Sequence, residues 1–165
     1  IVYGISEFGL AEQTGINMKE AKEYIDQYLE KYSGIKQFMN DAVEEAKNKG
    51  YIETLYHRRR YIPELKSNNY MVRKFGDRVA MNTPVQGTAA DIMKLAMIKV
   101  YKALKEKNLK AKIVLQIHDE LLIEAPLEEE KIVTEILVNE MESAAKLDVP
   151  LKVEAASGKS WYHTK

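Results

Sequence analysis

The sequence predicts an α+β fold, in which a helical N-terminal part with a small β-hairpin is followed by an antiparallel sheet with helices packed on one face. Three patterns support this class. Apolar residues recur at helical spacing through residues 18–49. A longer apolar stripe with the same period extends from Val85 to Leu104. Two short apolar runs, Ile113–Ile117 and Leu121–Ile123, are typical of strands joined by a polar turn.

The first two helices are predicted from their periodicity and their ends. Asn17 followed three residues later by Glu20 is typical of a helix start, because each side chain can accept a hydrogen bond from a free backbone N–H group. Ser33-Gly34 predicts the end of this helix. A second amphipathic helix follows, and Gly50 predicts its end, since glycine adopts the left-handed conformation that closes many helices.

A small β-hairpin is predicted next. Tyr51–Leu55 alternates in a strand-like way, and the chain returns through three arginines into Tyr61–Pro63. The tip of this hairpin is therefore strongly cationic. The polar stretch that follows predicts a boundary at Ser67, which divides the chain into parts 1–67 and 68–165.

Two separate helices are predicted after this boundary. The spacing predicts a first helix over Met71–Met81, which Gly76 weakens. Thr83-Pro84-Val85-Gln86 predicts a fresh start, because it combines a threonine cap, a proline at the first helical position and a glutamine three residues after the cap. The long helix from this start is expected to lie on the sheet.

The remaining elements are a hairpin, a helix and a strand. Ile113–Ala125 predicts the hairpin, and apolar positions from Ile132 to Met141 predict a helix with an acidic outer face. Leu151–Ala155 alternates as a further strand.

Three adjacent ionisable residues, His118, Asp119 and Glu120, are predicted to lie at the exposed tip of the second hairpin. Neighbouring carboxylates repel each other unless water, hydrogen bonds or a cation compensates their charge. A hard divalent cation is one suitable compensator. The alternative is an ordinary polar turn without a bound cation. Spacing alone does not decide between these two interpretations, because a two-metal site needs carboxylates from separate segments of the chain.

Composition narrows the classes of protein. A chain of 165 residues can bury a core, and a cysteine count of 0 excludes disulfides, thiolate metal sites and a cysteine nucleophile. We find neither an apolar run long enough to span a bilayer nor a signal peptide, so we expect a cytoplasmic protein without membrane contact. The chain starts at Ile1 without a methionine, from which we expect it to be part of something longer.

Charge is balanced in total but uneven along the chain. Lys+Arg and Asp+Glu each number 25, so the net charge does not indicate a polyanionic partner. Basic residues outnumber acidic ones between His57 and Arg78, and the balance is reversed between Pro126 and Pro150. This asymmetry is compatible with one face directed toward phosphate, or with ordinary solvated surfaces.

Three separated motifs resemble those of a known enzyme family. They are Tyr51–Leu65, Met81–Met97 and Leu115–Leu122, and in this order and spacing they are similar to the C-terminal part of a family A DNA polymerase of the bacterial DNA polymerase I type. Ile1–Ile5 resembles the tail of the family's nucleotide-binding fingers helix, and Gly158–Trp161 resembles its C-terminal ending.

The resemblance implies a fold, an activity and a cofactor. Residues 1–67 would be a fingers-like part and residues 68–165 a partial palm, within a template-directed enzyme of replication and repair in bacteria that binds primer-template DNA and dNTP and is associated with the nucleoid. Asp119 would bind the catalytic magnesium ions, two in the complete enzyme, with Glu120 beside it and His118 near the primer end.

The resemblance also implies DNA contacts. Asn82 and Gln86 match residues that face the minor groove, where amide donors can test base-pair geometry without reading sequence. For Gln86 a second interpretation stays open, that of a capping glutamine held for stability alone. Tyr3 matches a tyrosine that stacks where the template base enters. Phosphate-contacting and template-contacting arginines of the family are matched by Arg58, Arg59, Arg60 and Arg78.

Two departures from the family pattern affect these expectations. His57 stands where the family usually has glycine, and histidine adopts a positive φ at greater cost. Nothing in the sequence matches the family's first catalytic aspartate or its triphosphate-binding lysine and arginine, which the resemblance places upstream of Ile1. We therefore expect these 165 residues alone to be inactive, and to self-associate through exposed apolar surfaces. The alternatives are a non-catalytic module that binds primer-template duplex and, ranked third, a helical interaction protein.

Overall fold

The structure, a computed structural model, describes residues 1–164 and has the α+β fold that the sequence predicts. Short 3-10 turns occupy Pro63–Lys66, Leu127–Glu129 and Trp161–Thr164. The helices and strands, in chain order, are α1 Glu7–Thr14, α2 Met18–Lys31, α3 Ser33–Lys49, β1 Tyr51–Glu53, β2 Arg59–Tyr61, α4 Tyr70–Glu106, β3 Lys112–Ile117, β4 Glu120–Glu124 and α5 Glu130–Glu142.

The chain forms two compact units, Ile1–Thr88 and Ala89–Lys165, and α4 contributes residues to both. Each unit contains one antiparallel two-stranded sheet, β1 with β2 and β3 with β4. The boundary at Ser67 that the sequence predicts separates a fingers-like part from a palm-like part, and this assignment stays a prediction. Across residues 1–164, no helix combines the length and the apolar character that a membrane crossing requires.

In the first unit, the ends of α2 and α3 largely follow the predicted capping signals. Asn17 and Glu20 form the capping box, with the Glu20 N–H donating to Asn17 Oδ1 at 2.9 Å, and Gly50 closes α3 with a φ of 79°. The prediction that Ser33-Gly34 ends α2 is wrong, because α2 ends at Lys31 and both residues belong to the first turn of α3. The core of this unit consists of Ala42, Ala46, Ile52, Ile62 and Ala80.

Helix α1 was not predicted from the sequence. Its cap is Ser6, whose hydroxyl accepts a hydrogen bond from the Gly9 N–H at 3.2 Å. It has no buried residue, so it lacks the apolar stripe by which a helix is recognised.

The predicted helix start at Thr83-Pro84-Val85-Gln86 is also wrong. Helix α4 runs without a break from Tyr70 to Glu106 and carries Pro84 in its interior. The Thr83 hydroxyl is not a cap, because it donates to the Val79 carbonyl one turn back at 2.7 Å. The interpretation of Gln86 as a capping residue is therefore excluded.

In the second unit, α4 and α5 pack against one face of the β3–β4 hairpin, as the sequence predicts. Leu121 and the half-buried Ile113 and Ile123 supply the sheet side of this core. The helices supply Met93, Val100, Leu104, Val133 and Ile136.

The predicted strand Leu151–Ala155 is absent from the structure, where this segment has no regular secondary structure. The Val153 N–H donates to the side chain of Glu142 at Oε1 over 3.2 Å, which is a contact with the end of α5 and not with a strand. An alternating pattern of side chains is therefore not sufficient to predict a strand here, because the backbone groups of a strand also need a neighbouring strand with which to form hydrogen bonds.

Candidate functional site

Three of the candidate DNA-contacting residues lie along one face of α4. Arg78, Asn82 and Gln86 are spaced four residues apart, and the continuous helix places side chains with this spacing one above the other. Arg78 and Gln86 are exposed and Asn82 is half-buried. The sequence alone predicted a break at Thr83, so it could not predict this alignment.

The cationic β1–β2 hairpin is anchored to α4 immediately beyond Gln86. The Leu55 N–H donates to the Thr88 hydroxyl at 2.9 Å. A Cβ atom at Gly87 would lie 2.6 Å from Thr54 Cγ2, so the turn of the hairpin approaches the helix where it has no side chain. The first unit therefore collects the arginine hairpin and the face of Arg78, Asn82 and Gln86 in one region.

The three hairpin arginines have different surroundings. Arg58, Arg59 and Arg60 are all exposed, but Arg59 Nε donates to Glu53 Oε1 at 2.8 Å and its guanidinium lies 4.7 Å from the centre of the Tyr51 ring. Glu53 lies directly opposite Arg59 in the strand register. Glu53 was not among the residues singled out from the sequence, although a carboxylate placed opposite an arginine across a hairpin is a recognisable signal.

His57 keeps the left-handed backbone that a glycine would adopt easily, with a φ of 61°. The turn is held by the His57 N–H, which donates to the Thr54 carbonyl at 3.0 Å, and by the Arg58 N–H, which donates to the Thr54 hydroxyl at 3.2 Å. Histidine therefore leaves the hairpin tip in a glycine-like conformation, at a strain cost on the order of 1 kcal/mol.

The ion pair between Glu53 and Arg59 predicts a specific pH dependence of stability. The Arg59 hydrogen bond, with a smaller contribution from His57, lowers the pKa of the Glu53 carboxyl. A carboxylate with a lowered pKa in the folded state stabilises the fold above its unfolded pKa of about 4.3, and this contribution is lost as the pH falls through the folded pKa.

We therefore expect Glu53→Gln to lower the melting temperature at pH 7 and to have a progressively smaller effect below about pH 4. Thermal melting followed by circular dichroism between pH 7 and pH 3 measures this difference. In an Arg59→Ala background the same substitution should show a weaker pH dependence, since the partner that lowers the pKa of Glu53 is gone. A difference that is constant with pH in both backgrounds would contradict the assignment.

Tyr3 lies in a turn and not in a helix. The Gly4 N–H donates to the Ile1 carbonyl at 2.8 Å, and Ile1–Ile5 contains no helical residue. The similarity of this segment to the tail of a helix therefore does not extend to its conformation here. The Tyr3 side chain is 55% exposed, and its carbonyl lies 3.5 Å from Asn82 Nδ2.

In the second unit, His118 and Asp119 form the two-residue turn between β3 and β4. Ile117 pairs with Glu120 at the end of the ladder, and His118 has a φ of 49°. The Gln116 side-chain amide donates to the His118 carbonyl at 2.8 Å and supports the turn. His118, Asp119 and Glu120 are all exposed, and Leu121 faces the core, so the alternation of the strand directs Glu120 away from it.

The chemistry of this tip suits a hard divalent cation. Magnesium is commonly held by one or two carboxylates together with substrate phosphates and water, and Asp119 and Glu120 are two adjacent, exposed carboxylates. Within residues 1–164 no group of three or more histidine, aspartate or glutamate side chains is placed to hold a metal ion. The donor set therefore fits a shared site, in which phosphate oxygens or further residues complete the coordination.

Comparison with known proteins identifies the class to which this chain belongs. The family model described as DNA polymerase family A matches residues 1–163. The chain therefore belongs to DNA polymerase family A.

The individual relatives are bacterial polymerases of one type. The chain is 58% identical to DNA polymerase I of Bacillus subtilis and 56% identical to DNA polymerase I of Caldicellulosiruptor bescii, over 165 residues in each case. It spans 19% of the length of each of these relatives. Among solved structures it is similar to the POL domain of Pol1 from M. smegmatis in complex with DNA primer-template and dNTP, with a TM-score of 0.92 and 44% identity over 97% of this chain and 28% of that one.

Proposed function

We propose that this chain forms part of the fingers and palm of a template-directed DNA polymerase, which transfers a nucleotide from dNTP to a primer 3′-hydroxyl during replication and repair. The observation that carries the proposal is the placement of Arg78, Asn82 and Gln86 on one face of α4, with the arginine hairpin hydrogen-bonded to the same helix beside them. This arrangement offers cations for phosphate and amide donors for base edges in one region.

Each candidate residue has a role that its chemistry suits. Arg58, Arg59, Arg60 and Arg78 contact backbone phosphates, because the guanidinium group is always charged and matches phosphate oxygens. Asn82 and Gln86 donate to minor-groove acceptors, which occupy similar places on every base pair, so these contacts tolerate any sequence. Tyr3 lies at the entry of the template base.

The acidic tip of the β3–β4 hairpin supplies the metal ligands in this proposal. Asp119 and Glu120 hold magnesium, and His118 lies near the primer end. Two such ions, when bound in the complete enzyme, would lower the pKa of the 3′-hydroxyl and stabilise charge on the transferred phosphoryl group. The proposal includes a location in the bacterial cytoplasm at the nucleoid, where duplex DNA would be available as the partner.

A primer-extension assay tests this function directly. The 165 residues alone, with magnesium and all four nucleotides, should give no extension, because no residue matches the first catalytic aspartate or the triphosphate-binding pair. A chimera in which they replace the corresponding segment of the 58% identical Bacillus subtilis polymerase should extend a primer. Extension by the 165 residues alone would overturn the predicted inactivity, and a folded chimera without activity would overturn the proposed function.

The second candidate function is a non-catalytic module that binds primer-template duplex, and the exposed arginines of the first unit favour it. Its mark would be salt-sensitive duplex binding without a magnesium requirement, together with an inactive chimera. A protein that binds no duplex even at low salt would instead be a helical interaction protein.

Both leading functions predict that the arginines set the salt dependence of duplex binding. Arg60→Ala and Arg78→Ala should each reduce the slope of log K against log salt concentration by about 1, because each removes one phosphate contact. Fluorescence anisotropy of a labelled primer-template at several salt concentrations measures this slope. Lys131→Ala, which removes an exposed charge from α5, is the control and should leave the slope unchanged.

Self-association is also part of the proposal. Large apolar side chains are exposed in both units, among them Tyr61 at 68%, Met71 at 70% and Tyr101 at 57%. Exposed apolar side chains of this size favour contact with another protein surface when they form a contiguous patch.

A further inference from the structure

The side chain of Asn82 is held by the backbone of the turn at residues 1–4. Asn82 Nδ2 lies 3.5 Å from the Tyr3 carbonyl oxygen. Asn82 Oδ1 is buried and has no hydrogen-bond partner among residues 1–164. The two ends of this amide therefore have different surroundings, with its acceptor enclosed and its donor at the Tyr3 carbonyl.

The Tyr3 carbonyl fixes which end of the Asn82 amide faces which way. A carbonyl oxygen only accepts hydrogen bonds, so it attracts the NH2 group and repels Oδ1. The reversed amide would bring two oxygens together and bury two unsatisfied N–H donors, which is a worse arrangement than one buried acceptor. The NH2 group carries two N–H donors, and the contact with Tyr3 uses only one of them.

This approach of the backbone to α4 depends on glycine at position 4. Gly4 has a φ of 76°, a conformation that side chains disfavour and that is a severe outlier for β-branched residues. A Cβ atom built on Gly4 would lie 2.6 Å from Met81 Cε and 3.4 Å from Arg78 Cγ. The Met81 methyl group ends a flexible side chain and can move aside, whereas the positive φ cannot be relieved without moving the backbone. For a β-branched side chain, the strained φ together with the crowding at Met81 and Arg78 therefore favours a shift of the turn, and of the Tyr3 carbonyl with it, away from the helix face that carries Asn82.

We propose that Gly4 is a positioning residue that acts through the Tyr3 carbonyl to hold the Asn82 amide with a donor available for the minor groove. The acceptor that this donor recognises is a purine N3 or a pyrimidine O2 atom of the primer-template duplex. The inference rests on the proposed function, because it requires that Asn82 faces DNA. It assigns the positioning of the Asn82 amide to the backbone of residues 3 and 4.

The test uses the chimeric polymerase and primer-templates in which a 3-deazapurine replaces a purine at each of the last four base pairs in turn. At each pair the purine is placed first in the primer strand and then in the template strand, so that the acceptor of either strand is removed in one of the two substrates. The analogue removes one minor-groove acceptor and leaves base pairing intact. At the pair that Asn82 contacts, the analogue should slow extension by the wild-type chimera roughly fivefold to tenfold. Asn82→Ala and Gly4→Val should both reduce this ratio to about one, because each removes the positioned donor. The ratio compares two substrates with the same enzyme sample, so a partly unfolded sample does not change it.

Gly15→Val is the matched control. Gly15 has a φ of 75°, nearly that of Gly4, but a Cβ atom there would meet nothing within 4 Å. The two substitutions thus carry similar backbone strain and differ in the contact with α4. Gly15→Val should keep the wild-type ratio, and if Gly4→Val does not extend at all, Gly4→Ala takes its place with an intermediate ratio expected.

The outcomes separate the inference from the function on which it rests. A ratio that depends on Asn82 but keeps its full size in the Gly4 variants would overturn the inference alone. A wild-type ratio of one at all four pairs would show that Asn82 does not contact the groove, and it would overturn both. Loss of the ratio in Gly15→Val as well would mean that general strain causes the effect, and the inference would be wrong.

Discussion

Replacing Asp119 by asparagine should lower primer extension by the chimeric polymerase by roughly a hundredfold to a thousandfold. Asparagine has nearly the same size as aspartate and is equally accepted in turns, so the hairpin tip should keep its conformation. The substitution removes the negative charge of an exposed carboxylate, which in the proposed function binds magnesium. Single-turnover extension with saturating dNTP measures the loss.

The control for this prediction lies on the same hairpin. Glu124 is an exposed carboxylate at the far end of β4, where it pairs with Lys112, and Glu124→Gln makes the same change in charge. It should leave extension within about twofold of wild type, because surface substitutions away from the site have small effects. Nearly full activity of Asp119→Asn at every magnesium concentration would remove Asp119 from the site.

Local signals in the sequence are sufficient to predict the elements whose ends are set by nearby residues. The capping box of Asn17 and Glu20 and the left-handed Gly50 are interactions within a few residues, and both were predicted correctly. The β3–β4 hairpin was equally clear, because its apolar strands are separated by a two-residue polar turn. The acidic tip and the arginine hairpin were therefore found from sequence.

The same kind of signal failed at Pro84, where distant packing decides. A proline inside a helix removes one hydrogen bond and costs about 3 kcal/mol, so Thr83-Pro84 normally predicts a start. Here apolar positions before and after Pro84, among them Ala80 and Met93, are buried in the cores of the two units, and this burial offsets the cost. A helix break at Pro84 would also have separated Asn82 from Gln86. The alignment of Arg78, Asn82 and Gln86 on one helix face therefore depends on the burial that offsets the cost of the proline.

Features made by the backbone could not be predicted from residue types alone. The contact of Asn82 with Tyr3 joins residues that are 79 positions apart and uses a main-chain carbonyl, for which the sequence has no distinctive letter. The positive φ of His57 is likewise set by the hydrogen bonds of its turn to Thr54. Both features, the contact of Asn82 and the φ of His57, depend on the path of the backbone and not on the type of a single residue.

The second large effect is expected in the core that supports the β3–β4 hairpin. Leu104 of α4 is 3% exposed and belongs to the same apolar cluster as Leu121 of β4. Leu104→Ala should lower the free energy of unfolding of the unit Ala89–Lys165 by about 3–5 kcal/mol, because it removes buried methyl groups and leaves a cavity. Urea denaturation of the 165-residue chain, followed by circular dichroism, measures this as a lower midpoint with an unchanged slope.

Leu127→Ala is the matched control, since Leu127 is 86% exposed and the same atoms are removed from solvent contact instead of from a core. It should change the free energy of unfolding by less than about 0.5 kcal/mol. Equal effects of the two substitutions would show that Leu104 is not packed as described. A typical domain is stable by only about 5–15 kcal/mol, so the loss expected for Leu104→Ala is a large fraction of the total.

The same substitution should also affect primer extension. Because Leu121 directly follows Glu120, an alanine at position 104 should loosen the strand that carries the acidic tip. The chimera with Leu104→Ala should therefore lose extension at temperatures that the Leu127→Ala variant tolerates.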